Sequence, residues 1–171
     1  MLIPDFVSAL KNFWLRQISG AELLRQSMEF LQTQLDANQM KWLHNEAEGY
    51  PHIGEPGYVT TTDIPENQKY RLVYCDKPAL LIDGKLHPLS LKGPTPLLQW
   101  LDWPLSQVEK AVAESNDGLV SLPFQVPEHS QPGVQPVYLI QVSQLQRVTE
   151  CFREEFWATV KGIPGIENLD R

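Results

Sequence analysis

With 171 residues, 42% of them apolar and 20% charged, the chain is expected to fold as one α+β globular domain, which excludes wholesale disorder and a large two-domain enzyme. Fourteen Lys and Arg against 21 Asp and Glu leave a net charge of −7, a balance that repels phosphate backbones and anionic membranes in the absence of a local basic patch, and none is present. Cys75 and Cys151 stand far apart and in no C-x-x-C spacing, so neither a disulfide framework nor a zinc site is indicated. No apolar run approaches the ~20 residues of a membrane helix. The opening residues Met1 to Arg16 lack the basic region and small-residue cleavage site of a secretory signal, so a bacterial cytoplasm is the expected compartment.

The first third reads as a helical array. Phe6, Val7, Leu10, Phe13 and Trp14 recur at the spacing of one apolar helix face behind Pro4. Ser19 and Glu22 form an S-x-x-E capping box ahead of a stripe of Leu24, Met28, Leu31 and Leu35. After an interruption at Asp36 to Asn38, a third helix carries Met40, Leu43 and Ala47 inward and ends at Gly49 and Pro51.

The middle of the chain changes character. Tyr50 to Gly57 reads as an ordered surface loop rich in Pro and Gly, and Tyr58 to Thr62 as a short β-prone run. Tyr70 to Cys75 and Ala79 to Ile82 have strand composition, and Asp83-Gly84 is a two-residue turn returning the chain through Lys85 to Leu89. Pro88 makes that return an edge strand. Thr95-Pro96 opens a predicted short helix, and Ser106 with Glu109 caps another that runs to about Ser115. Leu119 to Val126 is a further strand, Pro127 to Pro136 a turn-rich loop expected to be mobile, and Val137 to Gln141 the last strand. Ser143 and Gln146 suggest a third capping box, after which Leu145, Val148, Phe152, Phe156 and Val160 line the inner face of a long terminal helix stopped by Gly162 and Pro164. The expected fold is thus α+β: an N-terminal helical part over about 1–50, a mixed α/β part over about 58–162 containing a small antiparallel sheet and two short mid-chain helices, a long C-terminal helix, and a short tail over 163–171.

Few polar groups suggest chemistry. His44 and Glu48 share a helical face with usable ligand spacing, and Glu46 lies between them, but two ligands do not make a metal site, and only four histidines are present. A solvated helix face is the plainer explanation. Asp83-Gly84-Lys85 lacks the glycine-rich run of a phosphate loop, because Leu86 follows the lysine, and no nucleophile elbow or dinucleotide fingerprint occurs. Cys151, inside the last helix between Arg147 and Arg153, reads as a structural thiol. No cofactor is implied. The five tryptophans are numerous for this length; Trp100, Trp103 and Trp14 are candidates for anchoring a protein partner, since tryptophan is favoured at binding hot spots, although core packing explains them as well. The order short helix, Trp103-Pro104 turn, capped helix and strand over Thr95 to Leu122 also fits a winged helix-turn-helix, with Gln107 and Lys110 as the base-reading groups. The net charge and the neighbouring Glu109 and Glu114 argue against it.

The stretch Ile18 to Tyr58, with Trp42, Glu46, Gly49, Tyr50, Pro51, Glu55, Pro56 and Tyr58, resembles the opening of the AbiTii-type abortive-infection domain, in which a helix ends in a W-x-x-x-E-x-x-G-Y-P pattern before an acidic, proline-containing loop. The tail Tyr138 to Val160, where Ser143, Gln144, Leu145 and Gln146 lead from a strand into the terminal helix, is similar to the ending of that family. The resemblance covers both ends and leaves the middle matched only in the order of its elements. It implies a place in bacterial anti-phage defence, beside or fused to effector modules, and it brings no catalytic residues. The expected function is a non-enzymatic adaptor, sensor or regulator whose partner is a protein, such as a neighbouring defence effector, or a second copy of the chain. A self-contained toxin or small enzyme built on His44, Glu46 and Glu48 is the alternative, and the DNA-binding regulator is a third.

Overall fold

A computed structural model describes residues 2–51, 64–89, 97–115, 117–123, 131–166 and 169. The fold is α+β. The elements are α1 (Ile3–Trp14), α2 (Gly20–Gln32), α3 (Ala37–Glu48), a 3-10 helix (Glu66–Arg71), β1 (Leu72–Ile82), β2 (Lys85–Pro88), β3 (Leu97–Trp100), α4 (Leu105–Glu114), β4 (Leu119–Pro123), β5 (Val134–Gln141) and α5 (Val142–Val160). They divide into a helical unit, made of Met1–Pro51, Asp102–Lys110 and Val148–Arg171, and a sheet unit, made of His52–Leu101 and Ala111–Arg147.

The helical unit buries the faces that the 3–4 spacing marked out. Phe6, Leu10 and Phe13 of α1, Leu23, Leu24 and Leu31 of α2, Trp42 and Leu43 of α3, and Phe152, Phe156 and Val160 of α5 are almost wholly enclosed. Aromatic rings knit them together: Phe13 meets Phe152 and Phe156 edge-on at 6.3 and 6.2 Å, and Trp42 lies 5.9 Å from Phe152. The 163–166 stretch belongs to this core, with Ile163 and Ile166 buried.

Helix ends in this unit are satisfied by named groups. Asp36 caps α3 by accepting from Asn38 and Gln39 N–H, while Gln39 Oε1 accepts from Asp36 N–H, a reciprocal box in a place read from sequence only as an interruption. Ser19 Oγ accepts from Glu22 N–H, but the Glu22 carboxylate turns outward to Arg25 and Gln26, so that box is half made. The chain leaves α1 through a Schellman motif: Arg16, at φ 58°, donates to Phe13 O and Gln17 donates to Asn12 O at 2.8 Å. Arg153 also donates to Phe13 O and Trp14 O at 2.9 and 3.1 Å and lies 4.2 Å over the Phe13 ring, placing a cation against the negative end of α1.

Two predicted caps do different work. α4 begins at Leu105, so Ser106 sits inside its first turn, and Glu109 serves α2 instead: its carboxylate accepts from Gly20 N–H at 2.6 Å and Ala21 N–H at 3.2 Å. Likewise α5 begins at Val142, which places Ser143 within the helix, and Gln144 Oε1 accepts from Tyr74 N–H. At α4 a tertiary partner outcompeted the local box.

In the sheet unit the strand order is β2-β1-β5-β4, all antiparallel, and β3 pairs the first half of β1. Cys75 pairs both Leu97 and Ile140, which puts β3 on the side of β1 opposite β5, the side that β2 occupies further along. The hairpin at Asp83-Gly84 forms as read, with both residues at positive φ (50° and 76°), as the type I′ turn demands. The two strands predicted at Tyr70 to Cys75 and Ala79 to Ile82 are one continuous strand over Leu72–Ile82, and Tyr70 belongs instead to the 3-10 helix before it. The short helix expected behind Thr95-Pro96 is a correction: Leu97–Trp100 is strand β3, because pairing with Leu72–Cys75 satisfies its backbone and overrides the local start signal. β5 starts at Val134, three residues before the predicted Val137, and takes Pro136 into the strand. The predicted run Tyr58 to Thr62, the Thr95-Pro96 start itself, Glu55, Pro56 and residues 127–130 of the Pro127 to Pro136 loop lie outside the described residues.

Gly20 is required for α4 to approach α2. A Cβ there would meet Leu105 Cδ2 at 2.7 Å and both Glu109 Oε1 and Phe152 Cε1 at 3.0 Å. Gly20→Ala is therefore expected to lower stability by about 1–3 kcal/mol despite the better helix propensity of alanine, as overpacked cores do. Denaturant unfolding of the two proteins checks this; a more stable variant would show that the approach is loose.

Candidate functional site

The W-x-x-x-E-x-x-G-Y-P residues form a buried structural tie. Glu46 is 0% exposed and accepts a hydrogen bond from the Tyr50 hydroxyl at 2.5 Å, one helical turn away, while the Tyr50 N–H donates to Asp102 O at 2.8 Å. Gly49 makes the turn between them at φ 101°, and a Cβ there would stand 3.1 Å from Asp102 O. Trp42 is buried against Phe152, and Pro51, exposed, follows the turn. These residues hold the end of α3 to the 102–110 segment.

That arrangement takes apart the candidate acid/base cluster. His44 and Glu48 are exposed, whereas Glu46 points to the interior and is bonded to Tyr50. Among the described residues, no group of three or more His, Cys, Asp and Glu gathers as a metal site would require. Cys75 is buried in β1, where desolvation, reinforced by the neighbouring Asp76 charge, pushes its thiol up to about 12, far from the range of a thiolate nucleophile. Cys151 is half-buried in α5.

The tryptophan anchors fare unevenly. Trp100 is buried in the sheet unit. Trp14 and Trp103 are half-buried in the helical unit, and Trp14 lies within an aromatic group with Phe13 at 5.5 Å and Trp157 at 5.7 Å. Trp100 therefore offers no open apolar area for an anchor. The helix-turn-helix reading loses its first helix to β3, although Gln107 and Lys110 are placed as expected on α4, both exposed.

Exposed apolar side chains gather elsewhere, on one face of the sheet. Leu98 of β3 pairs directly with Tyr74 of β1, and Leu119 of β4 pairs with Gln141 of β5. Gln141 follows Ile140, the partner of Cys75, so Gln141 stands beside Tyr74 and the four residues form a row across four strands. At the usual strand spacing the row is about 14 Å long. Tyr74 is 50%, Leu98 39% and Leu119 38% exposed. Toward the hairpin the same face carries a buried cluster of Ala79, Val137 and Leu139 with Leu81 packed on it, beside which Leu86, the partner of Leu81, is 41% exposed. The opposite face carries the buried Val73, Cys75, Ile140 and Leu122.

Asp76 explains both the placement of the row and why the sequence hides it. Cys75 faces Ile140 and Lys77 faces Leu139, so Asp76 is an extra residue, a β-bulge that reverses the alternation of β1. Were Asp76 paired regularly in the ladder, Tyr74 would share a face with Pro78 and Leu80. The displaced Asp76 carboxylate accepts from Gln141 Nε2 at 2.9 Å, beside the row. At the other end, the Asp117 carboxylate accepts from Leu119 N–H at 3.1 Å.

Comparison with family models, with curated proteins and with solved structures gives no match. Among the described residues, no helix is long and apolar enough to cross a membrane.

Two measurements test this account. Tyr50→Phe removes a donor from a fully buried carboxylate and is expected to cost about 1–3 kcal/mol of stability, read from chemical denaturation; an unchanged midpoint would refute the tie. Thiol titration at pH 8 is expected to label Cys151 rapidly and Cys75 only after denaturation; equal rates for the two would show that Cys75 is not held in the interior.

Proposed function

We propose that this chain is a non-enzymatic protein-interaction domain of the AbiTii type, acting as an adaptor, sensor or regulator in bacterial cytoplasmic anti-phage defence, and that it engages its partner through the Leu98–Tyr74–Gln141–Leu119 row. The observation that carries the interaction reading is the row itself: three large apolar side chains stand open in line on a hydrogen-bonded sheet, where each half-exposed ring or isobutyl group gains by being covered. Of the three polar groups considered for an enzyme, Glu46 is buried and bonded to Tyr50, apart from the exposed His44 and Glu48. Support for the defence setting is the resemblance of both chain ends to that family, and the matching Trp42, Glu46, Gly49, Tyr50 and Pro51 have a shared architectural purpose that a family pattern would preserve.

The test is an affinity capture of the tagged protein from its native cells, with and without phage infection, read by mass spectrometry. A near-stoichiometric protein partner is expected, whose recovery drops at least severalfold for Tyr74→Ser. Recovery of the chain alone, or a partner indifferent to Tyr74, would overturn the assignment of this face.

A further inference from the structure

The rim of the row specifies the chemistry of what covers it. Asp76 and Asp117 are each fixed to a member of the row by a hydrogen bond from a neutral donor, Gln141 Nε2 and the Leu119 amide. Neither carboxylate takes part in an ion pair among the described residues. A partner laid across Leu98, Tyr74 and Leu119 must bring apolar groups to the centre and face two anions at the edge. An acidic or phosphate-bearing partner would set like charges together as it desolvated them; a basic one would gain attraction at the same points. The net charge of −7 adds a long-range pull of the same sign.

Size argues for a short segment over a second copy of the chain. The exposed parts of the three apolar residues amount to roughly 250 Å², well short of the ~800 Å² per partner that a stable protein–protein interface covers. An extended strand added to the sheet edge is also disfavoured at β2. Leu89 donates inward to Pro78 O, so the nitrogen of its neighbour Pro88 faces the outer edge, where it has no hydrogen to offer an incoming strand.

Building on the interaction reading above, we propose that the row binds a short apolar segment of a partner protein flanked by lysine or arginine, with Leu98, Tyr74 and Leu119 covering its apolar side chains and Asp76 and Asp117 pairing with its cations.

The full-length chain is titrated against three fluorescein-labelled peptides of about ten residues, longer than the row at strand rise: one alternating leucine and lysine, one leucine and glutamate, one serine and lysine. A labelled single-stranded oligonucleotide is run in parallel at low salt. Binding of the leucine–lysine peptide is expected, with the other three probes at least tenfold weaker. Tyr74→Ser is expected to weaken binding about tenfold, as loss of a central aromatic anchor does. Asp76→Asn with Asp117→Asn, which keeps both hydrogen-bond acceptors, is expected to weaken it severalfold and to flatten its salt dependence. Circular dichroism confirms that each variant is folded. Equal binding by Tyr74→Ser, tight binding of the leucine–glutamate or serine–lysine peptide, or preference for the oligonucleotide overturns the inference. If cellular capture still depends on Tyr74 while the doubly neutralised variant captures the same partner undiminished, the face is an interface and only the basic partner is ruled out; if neither experiment depends on Tyr74, both readings fall.

Discussion

The helical unit is assembled from three separate stretches of chain, and the middle one, Asp102–Lys110, is too short to hold itself in place. Polar contacts at either end fasten it. At its start Asp102 O accepts from the Tyr50 amide, next to the buried Glu46–Tyr50 bond; near its end the Glu109 carboxylate accepts from the first two amides of α2. Each contact settles groups that would be costly to bury unpaired, namely a carboxylate and the orphan amides of a helix terminus. Each also depends on a glycine, Gly49 for its positive φ and Gly20 for the absence of a side chain. Between these anchors Leu105 and Val108 reach full burial. The apolar contacts supply the bulk of the stabilisation, but the polar pairs decide which residues of the segment face inward.

Helical periodicity was legible because it is local. The five apolar positions named for the last helix, Leu145, Val148, Phe152, Phe156 and Val160, are all essentially inaccessible, and the hairpin at Asp83-Gly84 needed only its two turn residues to be recognised. Local signals failed where a distant partner was available. Ser106 and Glu109 match the capping-box spacing, yet the carboxylate finds two amides more than eighty residues away in sequence, and Leu97–Trp100 behind Thr95-Pro96 pairs with β1. The box that does form, Asp36 with Gln39, satisfies the same rule with the other permitted residue types. A four-residue pattern states what a helix start tolerates and leaves open what tertiary structure will use.

The candidate site was less legible for a related reason. Tryptophan is the residue that binding surfaces favour, but size also makes it the residue that cores favour, and Trp100 and Trp42 went to the core. The row of Leu98, Tyr74 and Leu119 draws on three strands, so no window of sequence contains it. Even within β1 the alternation misleads, because the Asp76 bulge exchanges faces midway along the strand. An aspartate inside an apolar strand run is nevertheless a visible irregularity, and in retrospect it is the one mark in the sequence of where the sheet changes its presentation.

That single residue links the fold to the proposed chemistry. Because Asp76 takes no position in the ladder, Tyr74 stands on the face that carries Gln141 and Leu119, and the bulge places the Asp76 carboxylate at Gln141. A regular strand that kept Asp76 in the ladder, opposite Ile140, would instead turn Tyr74 to the opposite face and take Cys75 out of register with Ile140. Such bulges re-aim side chains at the cost of a locally unpaired residue. Here the unpaired residue is acidic, half-buried and hydrogen-bonded to Gln141. The orientation of Tyr74 and the Asp76 edge of the rim thus follow from one local departure from regular strand geometry, which is why they are found together at this end of β1.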